Sequence, residues 1–185
     1  MKCDHFTTIH TDRLILRKLR DTDVQNYYSR LGSSQEVTRF MLWQPHKSLQ
    51  ESRESIRRIL ERDGYCWAIA LKEDDSLIGR IDLLRIDEEN RSCSFAYMLG
   101  KDFWNQGFGT EALQAVFSFA FTRLGMESIV ADHMSENPAS GRVMEKAGMR
   151  YVRTIRAKYE KCGKYYDAQE YCLTLDSWKE MQTGR

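Results

Sequence analysis

The chain has little of what marks linkers, membrane spans or charged binding surfaces. Only two of its 185 residues are proline and no low-complexity stretch occurs, so we expect one domain, residues 1–185, without a linker or an internal repeat. No apolar run reaches the roughly 20 residues of a membrane span, and the first residues lack the apolar core of a signal peptide. The 28 basic and 27 acidic residues leave no field that attracts nucleic acid or an anionic membrane. A cytoplasmic protein is therefore expected.

Cysteine is also sparse, and its spacing excludes the usual structural uses of this residue. The five cysteines are odd in number and widely separated, and no Cys-x-x-Cys pair or cysteine–histidine ligand spacing occurs. They are Cys3, Cys66, Cys93, Cys162 and Cys172. The sequence therefore predicts neither a disulfide framework nor a metal site. Cys66, Cys93 and Cys172 lie in apolar strand-like segments and are expected to pack as small hydrophobic side chains.

Hydrophobic periodicity predicts a mixed α/β or α+β domain. Strand patterns cover residues 11–19, 65–71, 77–86, 93–99, 128–132, 149–156 and 165–175. Helical patterns cover residues 23–31 and residues 110–124, the second with an apolar stripe of Leu113, Val116, Phe117, Ala120 and Leu124. A capping box at residues 48–51 begins another helix, which has Leu49, Ile56, Ile59 and Leu60 on one face and should stop at Asp63 and Gly64. A last helix is expected to be capped by Asn137 and to end at Gly148. The three strands between residues 65 and 99 are expected to form an antiparallel meander.

A glycine-containing loop precedes the helix predicted at residues 110–124. Residues 104–112 have the sequence WNQGFGTEA. Gly107 and Gly109 let the backbone turn tightly and approach a ligand without obstruction by Cβ. The helix start behind them leaves unpaired N–H groups and the positive end of the helix dipole, which together suit a phosphate or pyrophosphate. The loop therefore predicts a phosphate-bearing cofactor.

Two cofactor classes fit the glycine spacing, and the sequence around it favours one of them. Gly107, Gly109 and Ala112 satisfy the dinucleotide fingerprint G-x-G-x-x-G/A. That fold needs a buried strand running directly into the first glycine, whereas residues 101–106, KDFWNQ, are polar and lie past mid-chain. No G-x-x-x-x-G-K-[ST] sequence occurs either. A dinucleotide-dependent oxidoreductase is therefore the weaker hypothesis.

The same loop resembles the pyrophosphate loop Q/R-x-x-G-x-G/A of the GNAT superfamily of acyl-CoA-dependent N-acetyltransferases. It is most similar to the branch that holds the ribosomal-protein N-terminal acetyltransferases, whose loop often has the sequence W-G-x-G-[YF]-[AGM]-T-E-A. Residues 11–17, TDRLILR, are similar to the opening T-x-R-L-x-L-R of that branch, and residues 137–149 to its N-x-x-S…K-x-G-F segment. The closing pattern R…G…D…W is matched by Arg156, Gly163, Asp167 and Trp178. The resemblance thus covers residues 11 to 178.

The resemblance implies a fold and an acetyl donor. The fold would be a twisted, mostly antiparallel sheet of about seven strands flanked by helices, with CoA bound at a splay between the middle strands. Acetyl-CoA would be the cosubstrate, without a metal. Its pantetheine is expected to bond to the main chain of Tyr97, Met98 and Leu99. The N–H groups that would hold the pyrophosphate belong to Gln106, Gly107, Phe108, Gly109 and Thr110.

The resemblance also implies direct transfer of the acetyl group to a primary amine. A main-chain N–H near Met98 would stabilise the oxyanion, Asn137 would bond the pantetheine, and Ser140 would protonate the leaving thiolate. A protein or peptide N-terminus is the first candidate acceptor, because an α-amino group with a pKa of about 7.7–8.0 is partly neutral at pH 7. A polyamine or an antibiotic amine is the alternative acceptor.

Several residues are candidates for the general base and for acceptor contacts. Tyr159 is the second catalytic candidate, and Trp43, in the apolar loop of residues 40–43, is expected either to line the acceptor pocket or to pack in the core. The carboxylates that could face the acceptor, as bases or as contacts, are Asp82, Glu160 and Asp167. His133 is expected to have a structural role just after the strand at residues 128–132.

Two positions depart from the pattern of the branch. Asn105 stands where glycine is usual, and Ser94 stands where many relatives carry glutamate. Because residue 94 supplies no carboxylate base, a catalytically silent acyl-CoA-binding sensor is the alternative function. We expect a monomer or a homodimer, with no nucleic-acid or membrane partner.

Overall fold

The computed structural model describes residues 6–62 and 64–184 as a mixed α/β fold with one eight-stranded sheet. The predictions for Cys3 and for a helix stop at Asp63 lie outside the described residues. The strands are β1 Ile9–His10, β2 Leu14–Lys18, β3 Tyr65–Leu71, β4 Leu77–Asp87, β5 Ser92–Leu99, β6 Ser128–Met134, β7 Arg150–Lys161 and β8 Lys164–Thr174. Their order in the sheet is β1-β2-β3-β4-β5-β6-β8-β7.

The sheet is mostly antiparallel, as predicted. Strands β1 with β2, β2 with β3, β3 with β4, β6 with β8 and β7 with β8 are antiparallel. Within the described residues, β5 and β6 pair in parallel. The paired residues are Ser92 with Ser128, Cys93 with Ile129 and Ser94 with Val130. The eighth strand beyond the predicted seven is β1, which is too short for a periodicity signal.

Six α-helices accompany the sheet within residues 6–62 and 64–184. They are α1 Val24–Asn26, α2 Gln35–Thr38, α3 Leu49–Glu61, α4 Phe108–Thr122, α5 Pro138–Lys146 and α6 Leu175–Thr183. A π-helical segment, Tyr27–Gly32, directly follows α1 and completes the helical stretch predicted at residues 23–31. No helix in these ranges is long and apolar enough to cross a membrane.

Packing divides the chain into two compact units. The first holds the described residues up to Leu83 together with Ala96–Ala112, and the second holds Leu84–Phe95 together with the described residues from Leu113 onward. The expectation of a single domain stays a prediction. Each unit is described by itself below.

The first unit has a core between the sheet and the N-terminal helices. In α3 the predicted apolar face is confirmed, because Ile56 and Ile59 are buried and Leu49 and Leu60 pack against them in the same cluster. The predicted capping box is half formed: the Ser48 hydroxyl accepts the N–H of Glu51 at 3.3 Å. The Glu51 carboxylate instead accepts the N–H of Lys47 at 2.9 Å.

The second unit is built on α4, β6 and the β7–β8 hairpin. The apolar stripe predicted for α4 is buried, with Leu113, Val116, Phe117 and Ala120 fully inaccessible to solvent. Helix α6 was not expected from the sequence. It carries Trp178, whose ring lies 5.3 Å from that of Phe121 on α4. The tryptophan of the closing motif is therefore part of the hydrophobic packing of this unit.

One glycine in the first unit fixes how closely β5 approaches β4. A Cβ added to Gly79 would lie 2.6 Å from the main-chain oxygen of Met98 and 2.9 Å from a methyl carbon of Leu99. Real Cβ atoms do not come this close to a main-chain oxygen, so any side chain here would push β5 away.

We expect Gly79→Ala to lower the free energy of unfolding by about 1–3 kcal/mol, because the added methyl overpacks a buried position. Urea denaturation measures the change. Gly184→Ala is the matched control, since its added Cβ would lie no closer than 3.6 Å to its nearest neighbour. Equal effects of the two substitutions would contradict the close approach at Gly79.

Candidate functional site

The glycine loop of the first unit turns through two residues in the left-handed region. Asn105 has φ +59° and Gly107 has φ +84°. Asparagine adopts this region more readily than most residues, which explains why it can stand where relatives have glycine. Helix α4 then begins at Phe108, and its first helical bond runs from the N–H of Glu111 to the carbonyl of Gly107 at 3.0 Å. The N–H groups from Gly107 to Thr110 precede this bond, so they are the ones that helix geometry leaves for a ligand.

Two side chains of the loop bind main-chain carbonyls of the same unit. The Trp104 indole N–H donates to the Leu99 carbonyl at 2.7 Å, and the Gln106 amide donates to the Asp102 carbonyl at 2.6 Å. The Gln106 side chain is therefore engaged within the loop, and this residue can meet an anion only through its main chain. The Leu99 carbonyl likewise already accepts one hydrogen bond, which leaves one of its two lone pairs for pantetheine.

At the end of β5, the main-chain N–H and carbonyl groups of successive residues point alternately towards β4 and away from it. Gly100 N–H donates to the Ile78 carbonyl at 2.8 Å, and the Met98 carbonyl lies against Gly79. The main-chain groups of Met98 therefore point towards β4. Because successive residues of a strand alternate, those of Tyr97 and Leu99 point away from it. The oxyanion donor that the sequence places near Met98 is accordingly better sought at Tyr97 or Leu99.

Asp82 is buried among arginines in the first unit rather than open to an acceptor. Its side chain is 5% exposed and lies 2.9 Å from Nε of Arg80 and 3.5 Å from the guanidinium of Arg62. Arg80 also donates to the Tyr27 hydroxyl at 3.1 Å. Burial, followed by the charge of Asp82, raises the pKa of the neighbouring Cys66 thiol. Asp82 therefore has a partner already, and Cys66 is an unreactive core thiol, as the sequence predicts.

Trp43 packs against the first unit's core and against a histidine that the sequence did not single out. Its ring lies 5.0 Å from the ring of His46, which stacks on Tyr27 at 6.2 Å. The Nδ1 atom of His46 lies 2.7 Å from the hydroxyl oxygen of Ser52. Burial lowers the pKa of His46. Periodicity could not reveal this aromatic cluster, because residues 40–47 form an irregular loop.

In the second unit, Asn137 and Ser140 lie at the start of α5. Asn137 occupies the N-cap position, but its side chain makes no capping hydrogen bond, so the predicted capping role is wrong. Its main-chain carbonyl accepts the N–H of Ser140 at 3.1 Å instead. The Asn137 amide is thus not committed to the helix, and Ser140 is in the first turn, half-buried. Both placements are compatible with contact to a ligand.

His133 lies inside β6 and not after the strand, because β6 extends to Met134. Its Nδ1–H donates to the Met134 carbonyl at 2.8 Å, and its ring stacks on Tyr171 at 5.6 Å. The Nε2 atom is buried without a hydrogen-bond partner among the described residues, and a Cβ on Gly141 would lie 2.7 Å from it. These contacts agree with a structural role in the β6–α5 packing.

Tyr159 belongs to a buried polar cluster of the second unit centred on Asp132. Its hydroxyl donates to one carboxylate oxygen of Asp132, and the Lys158 ammonium contacts the other at 2.5 Å. Burial and the Asp132 carboxylate raise the pKa of Tyr159. Both effects favour the protonated phenol, which disfavours the role of general base for Tyr159. Proton donation is the acid–base role left to it.

A bulge in β7 explains why two consecutive side chains reach the same carboxylate. The register of β7 with β8 shifts between Ile155 and Tyr159, and Ala157 has φ +47°. Asp167 holds this bulge, because its carboxylate accepts the Ala157 N–H at 2.9 Å and contacts Arg156 at 2.5 Å. Hydrogen bonds from the Ala157 N–H and then from Arg156 lower the pKa of Asp167. Asp167 thus already has structural partners.

The remaining base candidate, Glu160, and the position where glutamate was expected, Ser94, both lie in the second unit. Glu160 is exposed on β7. Ser94 donates its hydroxyl to the Leu84 carbonyl at 3.2 Å. Neither position offers a buried carboxylate whose pKa could be tuned for proton abstraction.

Known proteins are similar to this chain in sequence and in fold. Residues 13–150 match the model of the acetyltransferase (GNAT) domain family. The chain is 33% identical over 173 residues to the uncharacterized N-acetyltransferase p20 of Bacillus licheniformis, covering 90% of this chain and 95% of p20. A Vibrio cholerae structure assigned as a ribosomal-protein-serine acetyltransferase has a TM-score of 0.80 at 21% identity, covering 94% of this chain and 99% of that one. Spermidine N-acetyltransferase from Vibrio cholerae, solved with CoA and spermine, has a TM-score of 0.77 at 19% identity, covering 91% and 99%.

We expect Asn105→Ala to lower the free energy of unfolding by roughly 1 kcal/mol, because alanine gains no local hydrogen bonding to offset the left-handed conformation. Asn105→Gly should leave stability within about 0.5 kcal/mol of wild type, since glycine adopts this region freely. Chemical denaturation of the three proteins measures both values. A glycine variant as unstable as the alanine variant would show that the asparagine side chain, and not the backbone angle, is what matters here.

Proposed function

The chain belongs to the GNAT acetyltransferase family, and from that premise we propose that it transfers the acetyl group of acetyl-CoA directly to a single primary amine, with a protein or peptide N-terminus as the first candidate. The observation that carries the proposal is the loop before α4. Left-handed backbone angles at Asn105 and Gly107 bring the N–H groups of residues 107–110 together at the start of α4.

The residues of the first unit fit the acetyl donor without a cationic side chain in the cradle. The pyrophosphate would lie on the N–H groups of Gly107, Phe108, Gly109 and Thr110, with that of Gln106 beside them, where the helix dipole favours negative charge. Gly107 is needed because any side chain there would be strained at φ +84° and would meet the Arg13 guanidinium at 3.2 Å. The pantetheine would run along the main chain of Tyr97 and Leu99, on the side away from β4, with Asn137 as a further hydrogen-bond partner.

In the proposed reaction the acceptor nitrogen bonds to the thioester carbonyl carbon and the C–S bond breaks. A main-chain N–H of β5 stabilises the oxyanion that forms between these two events. The amine nitrogen gives up a proton to solvent, and the CoA thiolate takes one from the Ser140 hydroxyl, which solvent reprotonates in the same step. Because an α-amine is partly neutral at pH 7, water suffices as the base, which suits the lack of a carboxylate at Ser94.

The ion pairs of the residues expected to contact the acceptor support a singly charged amine over a polyamine. A polyamine carries several positive charges and needs carboxylates without partners. Asp82 is instead paired with Arg80 and Arg62, and Asp167 with Arg156. The spermine-binding protein from Vibrio cholerae shares the fold, but the paired carboxylates of this chain favour a different acceptor.

A thiol-release assay with acetyl-CoA tests the proposal against its alternatives. The panel should contain peptides with different N-terminal residues, the same peptides with blocked N-termini, spermidine and an aminoglycoside. Turnover that is lost on blocking the N-terminus supports the proposal, whereas turnover of spermidine or the aminoglycoside contradicts the acceptor class. Tight acetyl-CoA binding without turnover on any amine would support the acyl-CoA sensor instead.

We expect Gly107→Val to raise the Kd of acetyl-CoA about tenfold or more. A β-branched residue in the left-handed region costs roughly 1–2 kcal/mol, and the loop relieves that strain by leaving its binding shape. Calorimetry with acetyl-CoA measures the change. Gly125→Val is the matched control, because Gly125 has φ +67° at the end of α4 with no atom near its Cβ position. The control should lose stability and keep its donor affinity; an unchanged Kd for Gly107→Val would mean that the loop does not hold the donor.

We expect Ser140→Ala to lower kcat by about 10²-fold, the lower end of the range for acid catalysis, because a thiolate is a stable leaving group. The Kd of acetyl-CoA should stay within about twofold of wild type, since the hydroxyl is proposed to act only as the thiolate leaves. Steady-state kinetics and calorimetry together give the two values. A variant that loses donor affinity as much as turnover would assign Ser140 to binding instead.

A further inference from the structure

We propose that Thr11, Arg13 and Glu111 form a brace that sets the shape of the loop before α4, and that Arg13 is thereby a positioning residue for the pyrophosphate of the donor. This inference rests on the proposed function, because it concerns the same loop. It goes further in giving a role to the T-x-R motif at residues 11–13, whose arginine lies 98 residues before Glu111.

The brace is a dense set of hydrogen bonds within the first unit. The Arg13 guanidinium donates through Nε to Glu111 Oε2 at 2.7 Å, and the Arg13 main-chain N–H donates to Glu111 Oε1 at 2.9 Å. The Thr11 hydroxyl donates to the same Oε1 at 2.6 Å. The guanidinium carbon also lies 4.2 Å from the centre of the Phe108 ring, a cation–π distance. Glu111 is thus held by both residues of the N-terminal motif.

One further bond connects the brace to the loop itself. Nη1 of Arg13 donates to the Gln106 carbonyl at 2.9 Å. In a planar trans peptide the carbonyl and the following N–H point in opposite directions. Drawing the Gln106 carbonyl towards Arg13 therefore turns the Gly107 N–H away from it, to the side on which an anion can be bound. A loop without this bond could rotate the peptide and present an oxygen to the phosphate.

The brace also cancels a charge that would oppose the donor. Glu111 lies in the first turn of α4, one turn from the N–H groups proposed to hold the pyrophosphate. Burial alone would raise the pKa of Glu111, but hydrogen bonds from Thr11 and Arg13 outweigh it and lower the pKa. The carboxylate is therefore ionised at neutral pH, and Arg13 compensates it. Without Arg13, Glu111 would repel the phosphates from within the binding helix.

A comparison of two acetyl donors distinguishes this role of Arg13 from a general effect on folding. S-acetylpantetheine carries the same thioester as acetyl-CoA but neither the pyrophosphate nor the nucleotide. We expect Arg13→Ala to raise the Kd of acetyl-CoA about tenfold, measured by calorimetry, and to leave the Kd of S-acetylpantetheine, measured by displacement, within twofold. Arg13→Lys should recover part of the loss, because a lysine can reach only one of the two partners. Arg153→Ala, which breaks an exposed ion pair of the second unit, is the matched control and should change neither value.

A double substitution distinguishes positioning from direct contact of Arg13 with the donor. If Arg13 compensates Glu111, Arg13→Ala combined with Glu111→Ala should bind acetyl-CoA at least threefold more tightly than Arg13→Ala alone. If Arg13 instead touches the phosphate, the double variant will be as weak as the single one, and the brace is overturned. Equal losses for both donors, or no loss for either, would also overturn it. Failure of wild type to bind acetyl-CoA would refute the proposed function rather than the brace.

Discussion

In the proposed function, binding of the acetyl donor depends on the direction of a few peptide groups. Main-chain N–H groups point at an anion only while their peptide planes keep the right orientation. Each of these planes must therefore be fixed by backbone angles or by hydrogen bonds from neighbouring side chains. Left-handed angles at Asn105 and Gly107 set the turn, and side chains bond the surrounding carbonyls. Trp104 holds the Leu99 carbonyl, and Arg13 holds that of Gln106. In the proposed function, the affinity for the acetyl donor therefore depends on residues that need not touch it.

Local chemistry made much of the fold predictable from the sequence. The apolar stripes of α3 and α4 lie where their spacing put them, and strands β3 to β5 begin and end within a residue or two of prediction. The glycine loop was recognisable because Gly107 and Gly109 stand at the start of an amphipathic helix. Helix α6 was missed, since its nine residues carry only a weak apolar stripe after the strand β8. The sheet order could not be derived, because it depends on pairings between distant segments.

The candidate site was predictable in its residue types but not in its partners. Asp82 and Asp167 were expected to face an acceptor, yet their carboxylates bind arginines and a main-chain N–H. Arg80 and Asp82 lie two residues apart on β4 and so share one face of the strand, but no sequence pattern shows that Arg62 also approaches Asp82. Tyr159 was a candidate base, and only its contact with Asp132 shows that the phenol keeps its proton. Charged residues in strands acquire their roles from what the fold brings opposite them.

The bulge in β7 has a second effect that concerns the protein in solution. β7 is the last strand in the sheet order, and a straight edge strand is a template on which another chain can add. The left-handed turn at Ala157 interrupts the regular spacing of its N–H and carbonyl groups, so an incoming strand could not keep register past it. The feature that directs Lys158 and Tyr159 to one carboxylate thus also protects the sheet against edge-to-edge aggregation.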